Sequence, residues 1–430
     1  MDDSRLIKLR TLMRTLGVGV YLVPTADFHD SEYVGAHFKA RAWLTGFSGS
    51  AGTAVVTEKK AALFTDGRYF IQAERELTGS GFTLYRSGDK GIPTVEEFVE
   101  SELEGGKKIG FDGRVVSAAF GKKLAKIAEE KGAEVLCGRD LVGEIWSGRP
   151  ERSCEKAWIL DEKYAGESAS SKIGRLREKM TALGATVHIL TSLDDIAWLL
   201  NIRGNDIPHC PVVLSFLMLT QKGCVFYVSP KALTLEIRQY LTSIGVAAAP
   251  YEDIYKMADM LSEKHMGSIL LDERRVSFRI AAAVEKSNEI IDLPNPTLLM
   301  KAVKNETELK NIRAAHIKDG IAMVKWLYWL KNSIENDLLT EISVSDKLEE
   351  FRRAQEGFID LSFSTIAAYG ANAAMMHYSA KPNDFSVLRP EGFLLADSGG
   401  HYLEGSTDIT RTIALGPLTE KENTLFTTVL

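Results

Sequence analysis

The sequence predicts an α/β protein of two to three domains. A chain of 430 residues exceeds one ordinary core, at roughly 150 residues per domain. Strand-length apolar runs alternate with helical patterns from the beginning. One arrangement, a Trp-led apolar stretch followed by two extended runs and a helix, occurs twice. The 45% hydrophobic and 26% charged content is that of a globular chain, not a disordered one.

The first segment, 1–155, has a short apolar run at 19–23 that ends at Pro24. Runs at 53–56 and 61–64 predict a hairpin turning at 58–60. Residues 67–76 read as helix, 107–111 as strand, and the Ala- and Lys-rich stretch 118–131 as helix. A hinge is expected at 147–150, because Pro150 biases the residue before it toward extended backbone. The second segment, 156–301, opens with an amphipathic helix on which Ile173, Leu176, Met180 and Leu183 recur at helical spacing. A strand at 187–190 and a helix at 193–200 follow, and the longest apolar run, 211–219, reads as a buried strand. Trp43-Leu-Thr-Gly-Phe47, an extended pair and 65–77 are echoed by Trp198-Leu-Leu-Asn-Ile202, an extended pair and 229–241. Duplicated α/β domains would explain the echo.

In the third segment, 302–430, Asn305 and Glu308 form a capping-box pair that opens a helix to about 331. A second helix is expected over 344–353, then strands at 361–367, 392–397 and 408–415. Thr419 and Glu422 form another capping box, and the helix they start meets no C-terminal signal by 430, so the chain is expected to end inside an element.

A net charge of −6 gives no basic footprint, so no nucleic-acid partner is expected. No apolar run approaches the ~20 residues of a membrane span, and the opening residues lack the apolar core of a signal peptide. Cys137, Cys154, Cys210 and Cys224 are scattered without metal-site spacing and read as reduced thiols. A cytoplasmic protein without a membrane is expected.

The densest chemistry lies in Phe393-Leu-Leu-Ala-Asp397-Ser-Gly-Gly-His-Tyr-Leu-Glu-Gly-Ser-Thr-Asp408-Ile-Thr-Arg-Thr412. Two apolar strands flank a Gly-rich connection, which predicts an antiparallel hairpin. With Asp397 and Asp408 directly opposed, their Cβ atoms would stand roughly 5 Å apart on one face. Carboxylates that close repel and resist desolvation, and a divalent cation relieves both effects. Oxygen ligation suits Mn²⁺ or Mg²⁺ over softer ions. Aspartates also commonly cap strand ends, so spacing alone leaves both readings open.

This stretch closely resembles the DSG…TTDxTRT signature of aminopeptidase P enzymes among the pita-bread metallopeptidases. The likeness extends along the chain. Pro24-Thr-Ala-Asp-Phe-His-Asp-Ser-Glu-Tyr33, Thr45-Gly-Phe-Ser-Gly-Ser-Ala-Gly-Thr53 and Thr65-Asp-Gly-Arg-Tyr-Phe70 resemble the first domain of the long members. Leu193-Asp-Asp-Ile-Ala-Trp-Leu-Leu-Asn-Ile-Arg-Gly204 resembles their second. Ala302-Val-Lys-Asn305, His316-Ile-Lys-Asp319 and Glu349-Glu-Phe-Arg-Arg353 resemble the start of their catalytic domain. The resemblance implies two creatinase-like α/β domains, 1–155 and 156–301, followed by the first part of a pita-bread α+β catalytic domain, 302–430.

It also implies an Xaa-Pro aminopeptidase that hydrolyses the N-terminal bond of peptides with proline second, using two divalent metal ions. Mn²⁺ is expected, with Zn²⁺ or Co²⁺ as alternatives. Asp397 would chelate one ion and Asp408 would bridge both. His377, in Met375-Met-His-Tyr378, matches the histidine that contacts substrate. Members of this kind form homodimers.

The family completes its metal site with a later histidine and two glutamates. After Asp408 this sequence has no histidine, and its glutamates are Glu420 and Glu422. A polypeptide of these 430 residues is therefore expected to have little peptidase activity. The alternatives are a prolidase-type dipeptidase and a non-catalytic pita-bread module that binds peptides or proteins. Among other residues, His316 reads as a core histidine, Asp66 and Arg68 as a turn with an ion pair, Arg411 as a neighbour neutralising the carboxylates, and His401 as a solvated loop residue.

Overall fold

The computed structural model describes residues 4–430; residues 1–3, the head of the stretch read for a leader, lie outside the described residues. Two compact units are present. One takes the chain up to Leu160 and then Glu167–Val303; the other joins Asp161–Gly166 to Lys304–Leu430.

The first unit opens with the helix Ser4–Leu16, then strands β1 (Val18–Pro24), β2 (Thr53–Thr57), β3 (Ala61–Thr65), β4 (Thr83–Arg86), β5 (Lys108–Phe111) and β6 (Glu134–Leu136). They form one sheet in the order β4-β3-β2-β1-β5-β6. Successive side chains point to opposite faces, and both faces are covered. Tyr21, Ala54, Val56 and Leu63 pack with Leu6, Leu9 and Met13 of the first helix. Val20, Leu22, Val55 and Phe64 pack with Phe98, Val99 and Leu124 on the other side. Burial on both faces is why these strands read as continuous apolar runs rather than alternating ones.

The following strands are β7 (Trp158–Ile159), β8 (Val187–Leu190), β9 (Ile202–Arg203), β10 (Ser215–Thr220), β11 (Cys224–Val228), β12 (Ala247–Pro250), β13 (Ser268–Leu271) and β14 (Glu289–Asp292). β7 and β9 pair as a ribbon, and the other six form a sheet in the order β12-β11-β10-β8-β13-β14. This order repeats that of the first sheet, and so does every strand sense. β2 is antiparallel to β1 and β3, as β10 is to β8 and β11. β4, β5 and β6 run parallel to their neighbours, as do β12, β13 and β14. The echo in the sequence is a repeat of topology.

The two copies meet along a symmetric seam. Ala118 N–H donates to the Val276 carbonyl, and Phe278 N–H to that of Val116; Ala119 N–H donates to Glu273, and Arg279 N–H to Gly113, each at 2.8 Å. Each bond has a counterpart with the roles of the two copies exchanged. Gly121 lies at this seam because a Cβ there would collide with the Phe278 ring.

The second unit is built on the helix Glu306–Ser333, capped as the sequence indicates: Glu308 N–H donates to Asn305 Oδ1 and Asn305 N–H to Glu308 Oε2, both at 2.9 Å. The helix Glu341–Arg353 follows. Then come β15 (Phe358–Leu361), β16 (Ile366–Tyr369), β17 (Phe393–Ser398), β18 (Gly400–Tyr402), β19 (Gly405–Ser406), β20 (Ile409–Ala414) and a helix Glu420–Val429 opened by Thr419. Two three-stranded sheets result, β16-β17-β20 and β15-β18-β19. The single strand expected at 361–367 is divided between them. One face of β16-β17-β20 packs on the helices, placing Ala367, Leu394, Ala396 and Ile413 against Met323, Trp326, Leu330, Val344 and Leu348.

Among the described residues no helix is long and apolar enough to cross a membrane. The four cysteines are free thiols, and burial pushes those of Cys210 and Cys224 up to about 11 and about 12.

Candidate metal centre

β17 carries Asp397, and the approach to β20 carries Asp408. The strand register sets Asp397 opposite Thr410 on one side and Ile366 on the other, and the last β17–β20 pair is Ser398 with Ile409. The expectation that the two aspartates face each other directly is therefore corrected: Asp408 lies two residues before Thr410, on the same face as Asp397 and diagonal to it. Diagonal neighbours stand about 7–8 Å apart, wider than an opposed pair and still within reach of one shared ligand.

The offset follows from the two-residue turn Leu403–Glu404, which pairs Tyr402 with Gly405 and so carries Thr410 opposite Asp397; the hairpin it closes also contains Gly399. A Cβ at this position would strike the Thr407 carbonyl and the Ser362 hydroxyl, so only glycine allows the two strands to approach this closely. Beyond it the chain does not loop freely. β18 and β19 pair with each other, and β18 also pairs with β15. His401, expected in a solvated loop, is instead on β18 with its ring Nδ1 2.6 Å from Ser406 Oγ.

Asp397 is half-buried and Asp408 exposed. Thr410 Oγ1 donates to Asp397 Oδ1 at 2.8 Å and so fixes the rotation of that carboxylate. Arg411, expected to neutralise these carboxylates, pairs with Ala396 on the opposite face and donates from Nη1 to the Thr410 carbonyl at 2.8 Å. Strand alternation sends its side chain away from Asp397.

His377 rides on the connection 370–392, which leaves the sheet at the Tyr369 end of β16 and returns at the start of β17. Its side chain is exposed, whereas the next residue, Tyr378, is buried. Structure thus brings Asp397 and Asp408 to one sheet face and carries His377 on a separate segment. Of the flanking methionines, Met376 is exposed and Met375 half-buried.

His316 is not a core histidine. It is exposed, and its Nδ1–H donates to the Ile312 carbonyl at 2.9 Å, one turn back on its own helix. Asp66 and Arg68 make the turn and ion pair read from the sequence, with Arg68 Nε and Nη2 each 2.8 Å from the carboxylate.

The chemistry of the two carboxylates suits a hard divalent cation; their number does not suffice for two. Among the described residues no group of three or more His, Cys, Asp and Glu side chains could hold an ion.

Two features escaped sequence reading. Thr410 belongs to a strand whose polar residues alternate at Asp408, Thr410 and Thr412, a pattern that marks one face. Glu341 left no signal beyond its place at a helix start, yet it is fully buried and gathers hydrogen bonds from residues 369–386.

Comparison with known proteins places these features in a family. Residues 5–137 and 148–308 each match the model of a creatinase/prolidase N-terminal domain, and residues 310–430 match metallopeptidase family M24. A probable Xaa-Pro aminopeptidase P of Paracoccidioides brasiliensis is 38% identical over 442 residues, an alignment that spans 100% of this chain and 71% of that protein. Aminopeptidase P2 of Arabidopsis thaliana is 35% identical over 462 residues, spanning 100% of this chain and 65% of its own length. The crystal structure of an X-prolyl aminopeptidase from Caenorhabditis elegans, described as a cytosolic enzyme with a di-nuclear active site, superposes with a TM-score of 0.91 at 32% identity. That match covers 97% of this chain and 70% of the solved one.

Proposed function

Since the chain belongs to the Xaa-Pro aminopeptidase P family of M24 metallopeptidases, we propose that it hydrolyses the peptide bond between an N-terminal residue and a proline in second position. Supporting this reading is one observation above all: within the segment that matches the metallopeptidase model, two carboxylates share a sheet face, and one is oriented by a hydroxyl.

Asp397 and Asp408 are the residues that would contribute to holding two divalent cations, Mn²⁺ first by ligand chemistry, with Zn²⁺ or Co²⁺ as alternatives. Bound cations would supply Lewis acidity and a water acidified to near neutrality. The protein's own part is positional. Thr410 holds the Asp397 carboxylate in one rotation, and His377 is assigned the hydrogen bond to the substrate carbonyl, where charge develops during attack. The division into domains at 1–155, 156–301 and 302–430, a homodimeric assembly and a cytoplasmic location belong to the same proposal. Two sheets of one topology and three matched segments support the division.

Two donors are fewer than two cations require, so a polypeptide of these 430 residues alone is expected to turn over little of an Arg-Pro-Pro peptide even with Mn²⁺ added. Robust turnover would overturn the ligand assignment. In protein that shows turnover, Asp397→Asn and Asp408→Asn should each lower kcat/KM by about a thousandfold, the several kcal/mol that a lost cation contact removes. Unchanged kinetics in both variants would refute the metal role of this face.

A further inference from the structure

We propose that Glu341 is the positioning residue of the substrate-contacting segment: its single buried carboxylate ties the connection that presents His377 at its start, beside His377 and at Ser386. This rests on the role proposed above for His377.

Glu341 is the first residue of the helix Glu341–Arg353, directly after the N-cap Thr340, and it is fully buried. Its carboxylate accepts hydrogen bonds from four donor groups, all in the segment around His377. Tyr369 N–H donates to Oε1 at 2.7 Å and Ser386 N–H to Oε2 at 2.7 Å. The Tyr378 hydroxyl donates to Oε2 at 2.7 Å, and Asn372 Nδ2 reaches Oε1 at 3.1 Å. Tyr369 is where the chain leaves β16, Asn372 lies in the short helix Gly370–Ala374, Tyr378 adjoins His377, and Ser386 is close to the return.

Further bonds close the arrangement. Asn372 Nδ2 also lies 3.0 Å from both the Tyr378 hydroxyl and Ser386 Oγ. The backbone answers in kind: Glu341 N–H donates to the Ser386 carbonyl at 3.1 Å, and Leu388 N–H to that of Leu339 at 2.9 Å.

The chemistry calls for glutamate. Four donors converge, so the group at their centre must offer acceptors on both oxygens, as only a carboxylate does among side chains of this size. An amide would turn an N–H₂ toward donors. An aspartate would fall one methylene short. The helix N-terminus adds a favourable field for negative charge. With Tyr378 pinned inward, the position of its exposed neighbour His377 at the surface is set through the backbone.

The test uses Glu341→Gln and Tyr378→Phe, the second removing one hydroxyl and leaving the ring. Deuterium exchange of the 370–386 backbone should accelerate about tenfold or more in Glu341→Gln, while β17, β20 and the helix Glu306–Ser333 stay as in the parent. In protein labelled with ¹³C-histidine, assigned through His377→Gln, the His377 imidazole resonances should shift in both variants. In protein that shows turnover with Mn²⁺, Tyr378→Phe should lower kcat severalfold with KM nearly unchanged.

Unaltered exchange together with unaltered His377 resonances overturns the proposal, as does a rise in KM at constant kcat. Should Glu341→Gln unfold the unit, Tyr378→Phe decides by the same readouts. Exchange and resonance measurements judge Glu341 whether or not the parent protein turns over an Xaa-Pro peptide, so failure of this proposal is distinguishable from failure of the reaction proposed above.

Discussion

Replacing Arg352 with methionine would strip a buried carboxylate of its cation. Asp319 and Arg352 have no exposed side-chain surface, and the guanidinium engages both carboxylate oxygens, Nε to Oδ1 at 2.7 Å and Nη2 to Oδ2 at 3.0 Å. Tyr402 OH donates to Oδ1 at 2.9 Å. Burial, and then the Asp319 charge, raise the Tyr402 pKa above its ordinary value, so the hydroxyl remains a donor. Together these residues join the helices Glu306–Ser333 and Glu341–Arg353 to β18. With Arg352→Met, Asp319 would keep one hydroxyl against the cost of a buried charge, and the loss should be about 3–5 kcal/mol. That is a large share of a domain stability of about 5–15 kcal/mol. Tyr402→Phe should cost about 1.5–3 kcal/mol, as for a hydrogen bond to a charged group. Converting both ionic partners, Asp319→Leu with Arg352→Met, should recover about 2 kcal/mol or more of the summed single losses, because apolar replacements of a buried pair come close to neutral. Native-state hydrogen exchange of the two helices reads each value. Single losses below about 1 kcal/mol, or a double variant that is simply additive, would refute the reasoning.

Two further outcomes are expected. His188 is fully buried, with Nδ1 2.9 Å from the Leu270 carbonyl, and burial lowers its pKa to about 4 from 6.5. The unfolded chain therefore binds this proton first, and stability should fall as pH drops from about 6.5 toward 4, by about 3 kcal/mol at the end of that window. His188→Gln should flatten that slope in urea titrations at stepped pH, and an unchanged slope would show that other groups govern it. Gly399→Ala should lower stability by about 1–3 kcal/mol, since its methyl meets the Thr407 carbonyl in a packed turn; a melting temperature equal to the parent's would contradict that.

Local signals carried much of the architecture. The hairpin of β2 and β3, the capping box at Asn305 and the helix from Thr419 are set by neighbouring residues, and each formed where the pattern put it. The repeat was legible as a Trp followed by two strands and a helix, and it proved to be two sheets of one topology. Short helices such as Val95–Glu102 and Phe278–Val284 were missed, because seven or eight residues give too few turns for a clear period. The site was only partly readable. The Gly-rich stretch between Asp397 and Asp408 does not single out Leu403–Glu404 as the turn, and that turn is what places Thr410, rather than Asp408, opposite Asp397. His316 was misplaced because an apolar helix face in sequence does not reveal whether another element covers it. Glu341 escaped notice for a related reason, since its four donors are brought to it only by tertiary folding.

The symmetric seam in the first unit has the form of an isologous contact, the kind that two identical subunits make about a two-fold axis. Both partners hang on one chain, so their association is unimolecular and indifferent to dilution, with the connection between the two copies as the tether that fixes their effective concentration. The four seam bonds join backbone groups, so a side-chain substitution at Val116 or Val276 leaves their donors and acceptors in place. Drift in either copy is thereby buffered, and the platform can hold its shape while the two copies' outward surfaces diverge.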